Sequence, residues 1–353
     1  MKNLFILFSV ILSFFAFSCT SVEQEETGVV MSVILPFKDK PEVAGQMYNA
    51  MKMAVDEVNA SKDRMAGQEL ILKVYSDGEG IYETSQVLTS MLESNSDILH
   101  IGVRVPVIHK TEELIYSDKF INYLNDYIPV TVQAKNAVRI FLSGTQICEA
   151  MGSVVDRNLL EGKSEMNVIA LGVDDLVTRS NVSYLRYEVE TSQIKFQDVY
   201  FKKGETNFDI FVQQIQNINA DYIFVMSSGE EYGYISKALK DSGFKGKLVF
   251  ASKVNVPMSL ASYYFVDTDF SSPENAKFIE KYKALFEKKP SSFEAAFAYD
   301  SIILSAKAYN ADPKNMREFF LGKSFEGAVG SIEFDSTGDS KVKVKALSSI
   351  SIE

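Results

Sequence analysis

The sequence has few of the residues from which metal centres and catalytic sites are usually built. It contains two cysteines and two histidines in 353 residues. The histidines, His100 and His109, have no cysteines at the spacing of a zinc site, and no order of serine, histidine and aspartate points to a catalytic triad. We therefore expect no metal or other cofactor and no enzymatic activity.

Positive charge is also in deficit. There are 36 lysines and arginines against 47 aspartates and glutamates, which gives a formal net charge of −11 at pH 7. No basic stripe is present, and this argues against nucleic acid as a partner. The glycine-rich loops that bind phosphate groups, GxGxxG and the P-loop, are absent from the sequence as well.

We expect the two cysteines to differ in chemical state. Cys148 lies within the helical apolar pattern Ile147–Met151, which is typical of a buried structural cysteine. A nucleophilic cysteine needs a neighbouring base, whereas Cys148 lies in an apolar helical pattern. If Cys19 is modified, Cys148 is left without a partner, so no internal disulfide is expected.

The N-terminal segment holds the single long apolar run, from Leu4 to Phe17. The run is shorter than the roughly 20 residues that cross a bilayer and is typical of a signal peptide. Cys19 follows it in a context that resembles a bacterial lipoprotein signal. We predict a lipoprotein signal peptide over residues 1–18, lipidation (palmitate) of Cys19, and an acidic tether over 19–28. The alternative is an ordinary secretory signal followed by an unmodified cysteine.

Beyond the tether, strand-like and helix-like patterns alternate. Val29–Leu35 is an apolar, β-branched run, and Pro41–Asn59 has the apolar period of a helix. The same alternation starts again near Gly144 and continues to Ala251. Repeated βαβ units of this kind predict parallel sheets covered by helices on both faces, here as two doubly wound, Rossmann-like α/β lobes.

The last hundred residues break the alternation. We expect helices that begin at Pro273 and near Ser291, and a third over Pro313–Phe320. Two strands should follow, over Ser331–Phe334 and Val342–Ile352. Residues 335–339 lie between them and are typical of a turn, with Gly338 at a position that requires positive φ.

Four ordered segments carry a family resemblance: Val33–Asn59, Phe208–Ile223, Ala238–Phe244 and Phe325–Asp339. Together they resemble the type I periplasmic solute-binding proteins, specifically the branched-chain amino-acid-binding receptors of ABC transporters. The resemblance implies two lobes joined by a hinge in a periplasmic binding protein-like I fold. It further implies that residues 29–143 and 256–328 form lobe one, and that 144–255 and 329–353 form lobe two.

Ligands of open α/β sheets bind beyond the carboxyl ends of the strands. The loops at those ends supply our candidate ligand-binding residues: Phe37, Arg104, Tyr123, Asn125, Asp174, Ser227 and Ser252. Arg104 is suited to a bidentate pair with a carboxylate, or else to a structural salt bridge. Phe37 and Tyr123 are suited to an apolar pocket wall, or else to ordinary packing.

The other candidates also have alternatives. For Ser227, capping of the helix that follows is the favoured alternative, and Asp174 is also suited to capping a helix. Asn125 stands where the family more often has small or hydroxyl residues, and Ser252 stands near the position of an expected acid. These departures argue against an ordinary α-amino acid as the ligand.

The sequence therefore predicts a lipid-anchored extracytoplasmic solute-binding protein of an ABC-type importer. Its partners would be a small polar solute (amino acid or amide-like), the membrane through the N-terminal lipid, and an ABC permease. The alternative is a lipoprotein regulator or scaffold that uses the same fold to bind a protein partner.

Overall fold

A computed structural model describes residues 28–62, 64–103, 111–125, 135–155, 165–227, 231–252, 263–268 and 272–348. Cys19 and Arg104 lie outside these ranges. Among the described helices, none combines the length and the apolar character needed to cross a membrane.

The first sheet consists of five parallel strands. They are β1 Val29–Leu35, β2 Leu70–Ser76, β3 Ile98–Ile101, β4 Phe120–Tyr123 and β5 Ala137–Arg139. The helices between them are α1 Pro41–Ala60, α2 Ile81–Glu93 and α3 Thr111–Ile115. The spatial order β2-β1-β3-β4-β5 is that of a doubly wound sheet.

The second sheet repeats this order with five parallel strands and adds one antiparallel strand. Its strands are β6 Met166–Val173, β7 Ile194–Phe201, β8 Tyr222–Met226, β9 Lys247–Phe250, β10 Tyr263–Thr268 and β14 Val344–Ser348. Its helices are α4 Gly144–Gly152, α5 Leu176–Val189, α6 Asp209–Ile218 and α7 Glu231–Asp241. The order is β14-β10-β9-β8-β6-β7. The prediction of two doubly wound α/β lobes is confirmed.

The remaining elements form two helices and a small antiparallel sheet. They are α8 Pro273–Phe286, α9 Glu294–Ala311, β11 Ser324–Gly327, β12 Gly330–Phe334 and β13 Ser340–Val342. Short 3-10 turns cover Met65–Gly67 and Met316–Phe319. Helix α8 begins as predicted, because Pro273 occupies its first turn and the Ser272 hydroxyl accepts a hydrogen bond from Asn275 N at 3.1 Å.

The first sheet is buried on both faces. Met31, Val33 and Leu35 of β1 pack into the cluster that includes α1 and α9. Ile34 points to the opposite face, where it joins Leu88 of α2. Because successive side chains of a strand alternate between faces, an unbroken apolar run such as β1 fits a strand covered on both sides.

Asp300 is a buried carboxyl group of α9 that holds the connection between β11 and β12. It accepts hydrogen bonds from Ala328 N at 2.7 Å and Val329 N at 3.0 Å. A Cβ atom added to Gly327 would come within 2.5 Å of Asp300 Oδ2, so the close approach requires glycine here. The contact ties α9 to the small sheet.

The predicted assignment of residues 256–328 to lobe one is wrong for residues 263–268. Strand β10 was missed, and it pairs in parallel with β9, for example Tyr264 with Val249, so this part of the chain still belongs to the second sheet. Its aromatic and β-branched residues are typical of a strand.

Two further predictions fail in the C-terminal part of the chain. The helix predicted over Pro313–Phe320 reduces to the 3-10 turn that ends at Phe319. The strand predicted from Val342 onward is divided at Lys343 between two sheets. Residues 329–353 were predicted to belong to lobe two, but only β14 joins the second sheet, whereas β12 and β13 pair with β11 in the small sheet.

Candidate ligand-binding cleft

The carboxyl ends of the two parallel sheets define the candidate cleft. In doubly wound sheets the ligand crevice lies where the strand order reverses, here between β1 and β3 and between β6 and β8. We call the loop 36–40 after β1 and the loop 77–80 after β2 the lobe-one rim. The loop 202–208 after β7, together with Ser227 after β8, is the lobe-two rim.

Asp77 organises the lobe-one rim. Its side chain is buried, and its carboxylate accepts hydrogen bonds from Lys38 N at 2.7 Å and Asp39 N at 3.1 Å. Two charge-assisted bonds to consecutive backbone amides fix the course of the loop. Lys38 also forms an ion pair with Glu79 at 3.1 Å within the same rim.

Glu231 has the corresponding position in the lobe-two rim. Its side chain is buried, and its two carboxylate oxygens accept hydrogen bonds from Gly204 N at 2.9 Å and Ser227 Oγ at 3.1 Å. Gly204 has φ of 80°, a conformation that favours glycine. The carboxylate thus connects the loops that follow β7 and β8.

An ion pair joins the two rims. Lys203 Nζ of the lobe-two rim donates to the carboxylate of Asp39 in the lobe-one rim. The side chains are 68% and 38% exposed, respectively, so the pair lies at the surface of the cleft rather than in a core.

Two chain segments cross between the sheets beside this cleft. Ser340 Oγ accepts from Phe141 N at 3.2 Å and donates to Phe141 O at 2.9 Å. Gln146 Nε2 donates to Val342 O at 3.0 Å. Gly338 has φ of 86°, as the turn predicted over 335–339 requires. The crossing segments are therefore hydrogen-bonded to each other.

Tyr123 and Phe37 lie in packed positions. Tyr123 is fully buried among Leu88, Met91 and Leu114, and burial raises the pKa of its hydroxyl. This position corresponds to the packing alternative, because a side chain with no exposed surface offers none to a solute in this conformation. Phe37 is half-buried and packs against the main core cluster.

Asn125 is buried at the end of β4. Its side-chain Nδ2 donates to Ile101 O at 3.0 Å and to Val103 O at 3.3 Å. The amide therefore holds the ends of the third and fourth strands together, which places it behind the loops of the candidate site.

The lobe-two candidates are also engaged with protein groups. Asp174 forms an ion pair with Arg179 at 2.7 Å, and that guanidinium lies 4.2 Å from the centre of the Tyr200 ring. The neighbouring Asp175 caps α5 by accepting from Thr178 N at 2.7 Å. Asp175, and not Asp174, is therefore the N-cap of α5.

Ser227 and Ser252 occupy the ends of β8 and β9. Ser227 is buried and donates to Glu231, while Ser252 is half-buried directly beyond β9. Arg104 lies outside the described residues. The structure thus brings no pair of the predicted ligand-binding residues into direct hydrogen-bond contact within its described part.

Asp77, Lys203 and Glu231 were not among the residues selected from the sequence. Each is an ordinary charged residue in a loop or first helical turn, and its role depends on a backbone segment that is distant in sequence. An acidic residue directly after a strand, as at Asp77, was the available signal, since such positions often accept bonds from an adjacent loop.

Several solved structures share this fold. A leucine-binding protein from Thermotoga maritima is 18% identical, with a TM-score of 0.79 over 90% of this chain and 94% of that one. A solute-binding protein of an ABC transporter from Rhodopseudomonas palustris, in complex with 3,4-dihydroxybenzoic acid, is 15% identical, with a TM-score of 0.77 over 90% and 92%.

A branched-chain amino acid transporter substrate-binding protein from Streptococcus pneumoniae, in complex with isoleucine, is 16% identical, with a TM-score of 0.75 over 91% and 99% of the two chains. These identities show the common fold. A comparison with curated proteins found no match. A family model described as periplasmic binding protein matches residues 41–343. The chain therefore belongs to the periplasmic binding protein family.

Proposed function

We propose that this protein is a lipid-anchored extracytoplasmic receptor that binds a small polar solute between its two lobes for an ABC-type importer. The observation that carries the proposal is the pair of doubly wound sheets with the same strand order, whose carboxyl-end rims meet through Asp39 and Lys203. Membership of the periplasmic binding protein family supports the same conclusion and an extracytoplasmic location.

The solute is of the amino-acid or amide-like class. Leucine, isoleucine and 3,4-dihydroxybenzoic acid, the compounds named with the three similar structures, are all small and all carry a carboxyl group. Arg104 is the residue of the predicted site best suited to such a group, since a guanidinium binds a carboxylate with two parallel hydrogen bonds.

Binding would be coupled to closure of the lobes. A solute that contacts both rims binds the closed conformation more tightly than the open one and shifts the population towards it. An ABC permease would recognise the closed form. The lipid on Cys19 would keep the receptor near that permease and raise its effective concentration there.

Thermal shift measurements followed by calorimetric titration test this proposal. The panel should contain leucine, isoleucine, asparagine, glutamine, benzoate and 3,4-dihydroxybenzoate. One compound is expected to bind with a stoichiometry of one and to raise the melting temperature, because a ligand of the folded state stabilises it. Substitution of Arg104 by Gln should weaken that binding, whereas Lys237→Gln, at an exposed position that pairs with Asp241 within α7, should not.

A second candidate function is a non-transport regulator or scaffold that binds a protein partner. The observation in its favour is that Asn125, Asp174 and Ser227 already use their polar groups within the protein. Under this alternative, none of the panel would bind, and a protein crosslinked at the rims in cell envelopes would not be a permease.

A further inference from the structure

The contact between Asp39 and Lys203 joins loops from different lobes. Their sequence separation is 164 residues, and each follows the carboxyl end of a parallel strand. An ion pair in this place can form only when the two rims are close together. It therefore responds directly to the opening of the cleft.

Each partner stands on a loop that a buried carboxylate holds in position. Asp77 accepts from the backbone N of Asp39 itself, and Glu231 accepts from the N of Gly204, which follows Lys203. Both carboxylates are buried, at 7% and 6% exposure, whereas the ion pair is exposed. The two rims thus have the same arrangement: a buried carboxylate fixes the loop backbone, and a charged side chain of that loop contacts the opposite lobe.

We propose that Asp39 and Lys203 form an electrostatic latch that favours the closed arrangement of the lobes, and that Asp77 and Glu231 are the positioning residues that orient it. The proposal rests on the proposed function in one respect, since a latch matters only in a cleft that opens and closes. The latch identifies residues that contribute to the ratio of the closed to the open arrangement.

The exposure of the pair sets the size of the effect. Ion pairs in contact with solvent contribute little, so the latch cannot lock the cleft shut and instead changes the ratio of closed to open molecules by about two- to fivefold. A ligand that contributes much more binding free energy then controls closure. Salt weakens the latch because it screens exposed charges.

The test measures the distance between the lobes in the purified full chain. Spin labels on unnatural side chains replace Tyr116 in lobe one and Tyr187 in lobe two, both 82% exposed, so the cysteines stay untouched. Pulsed electron resonance then gives the distribution of distances without any added solute, at low and at high salt. The variants are Asp39→Lys, Lys203→Asp and the double exchange of both charges.

Each single charge reversal should lower the ratio of short to long distances by about two- to fivefold or more, since it replaces attraction by repulsion. The double exchange should restore the original ratio, and high salt should reduce the difference between variants. Lys38→Gln is the matched control, because Lys38 lies in the same loop but pairs with Glu79 of its own lobe. It should leave the ratio unchanged.

Asp77→Asn and Glu231→Gln test the positioning role. Each variant keeps one acceptor oxygen and loses the other. Amide hydrogen exchange at Asp39 should accelerate in the first variant and at Gly204 in the second, and both should broaden the distance distribution. A merely structural role would change stability without changing the distances between the lobes.

An unchanged distribution in both reversal variants would overturn the latch, and so would a double exchange that fails to restore it. Failure of the proposed function is a separate result, in which no compound of the panel binds while the charge reversals still move the lobes. If a compound binds and all variants show the same ratio of closed to open molecules, the receptor function is supported and the latch is rejected.

Discussion

The guanidinium of Arg139 lies 2.5 Å from the carboxylate of Asp339, a residue 200 positions later in the chain. Arg139 is the last residue of β5 in the first sheet, and Asp339 directly precedes β13 of the small sheet, after which β14 returns the chain to the second sheet. The Arg139 backbone N also donates to Gly338 O at 2.9 Å. The pair therefore fastens the returning segment to the edge of lobe one.

Replacement of Asp339 by Ala should destabilise the fold by about 1.5–3 kcal/mol, because it removes a charge-assisted hydrogen bond from a buried guanidinium. The Arg139 side chain is 4% exposed, and that of Asp339 is 24% exposed. Urea unfolding followed by circular dichroism measures the change. The control is Asp241→Ala, which breaks an exposed pair with Lys237 and should cost less than about 0.5 kcal/mol. Equal costs at both sites would contradict the prediction.

Asp300 should make stability depend on pH. Burial raises its pKa from 3.8 to about 7, although the amides of Ala328 and Val329 favour the charged form. The pKa of Asp300 is higher in the folded than in the unfolded state, so protonation of Asp300 adds to the free energy of unfolding. This contribution is complete below pH 4 and is lost as pH rises through 7.

Asp300→Asn removes this titration. The stability advantage of the original protein over the variant should shrink between pH 4 and pH 8, by up to about 1.4 kcal/mol per pH unit. Chemical unfolding at a series of pH values measures it. An advantage that is constant with pH would show that Asp300 does not titrate in this range.

His100 should have the opposite effect on the pH dependence of stability. It is fully buried in β3, neither ring nitrogen has a hydrogen-bond partner among the described residues, and desolvation lowers its pKa to about 3. The unfolded chain then binds a proton below pH 6.5 that the folded one does not, so stability falls as pH falls from 6.5 towards 3.

Substitution of His100 by Leu should remove this loss. The difference in unfolding free energy, variant minus original protein, should be about 2–3 kcal/mol larger at pH 4.5 than at pH 7.5. Melting curves at the two pH values provide the measurement, with Asn122→Leu in the neighbouring strand as the non-titrating control. A difference independent of pH would exclude His100 as the source.

Cys19→Ala should release an intact, folded protein from the membrane. The proposed lipid on Cys19 is the attachment in this hypothesis, so its loss should free the domain. Fractionation of cell envelopes with immunodetection distinguishes bound from released protein. Thr20→Ala is the matched control and should remain bound. Continued retention of the Cys19 variant would argue against lipid attachment at this residue.

The alternation of strands and helices could be predicted from the sequence because it depends on local patterns. Strand β1 has the bounds predicted for it, Val29–Leu35, and helix α8 begins at the predicted proline. Hydrophobic periodicity and helix caps act over a few residues, so one sequence is enough to detect them.

The placement of the candidate site residues could not be predicted in the same way. In a strand covered on both faces, such as β4, every position is buried, and the sequence does not indicate which face Tyr123 occupies. Asn125 and Asp77 bind backbone groups of other segments, 22 to 39 residues away. Such partners are determined only when the strands take their spatial order.

The central claim is that one small polar solute binds between the two lobes. Native mass spectrometry of the purified chain with each compound of the panel in turn provides the test, since leucine and isoleucine have the same mass; the leucine-binding protein from Thermotoga maritima with leucine is the positive control. The account predicts a one-to-one adduct with a single compound, lost in the Arg104→Gln variant. The absence of any adduct, under conditions in which the control binds leucine, would contradict it.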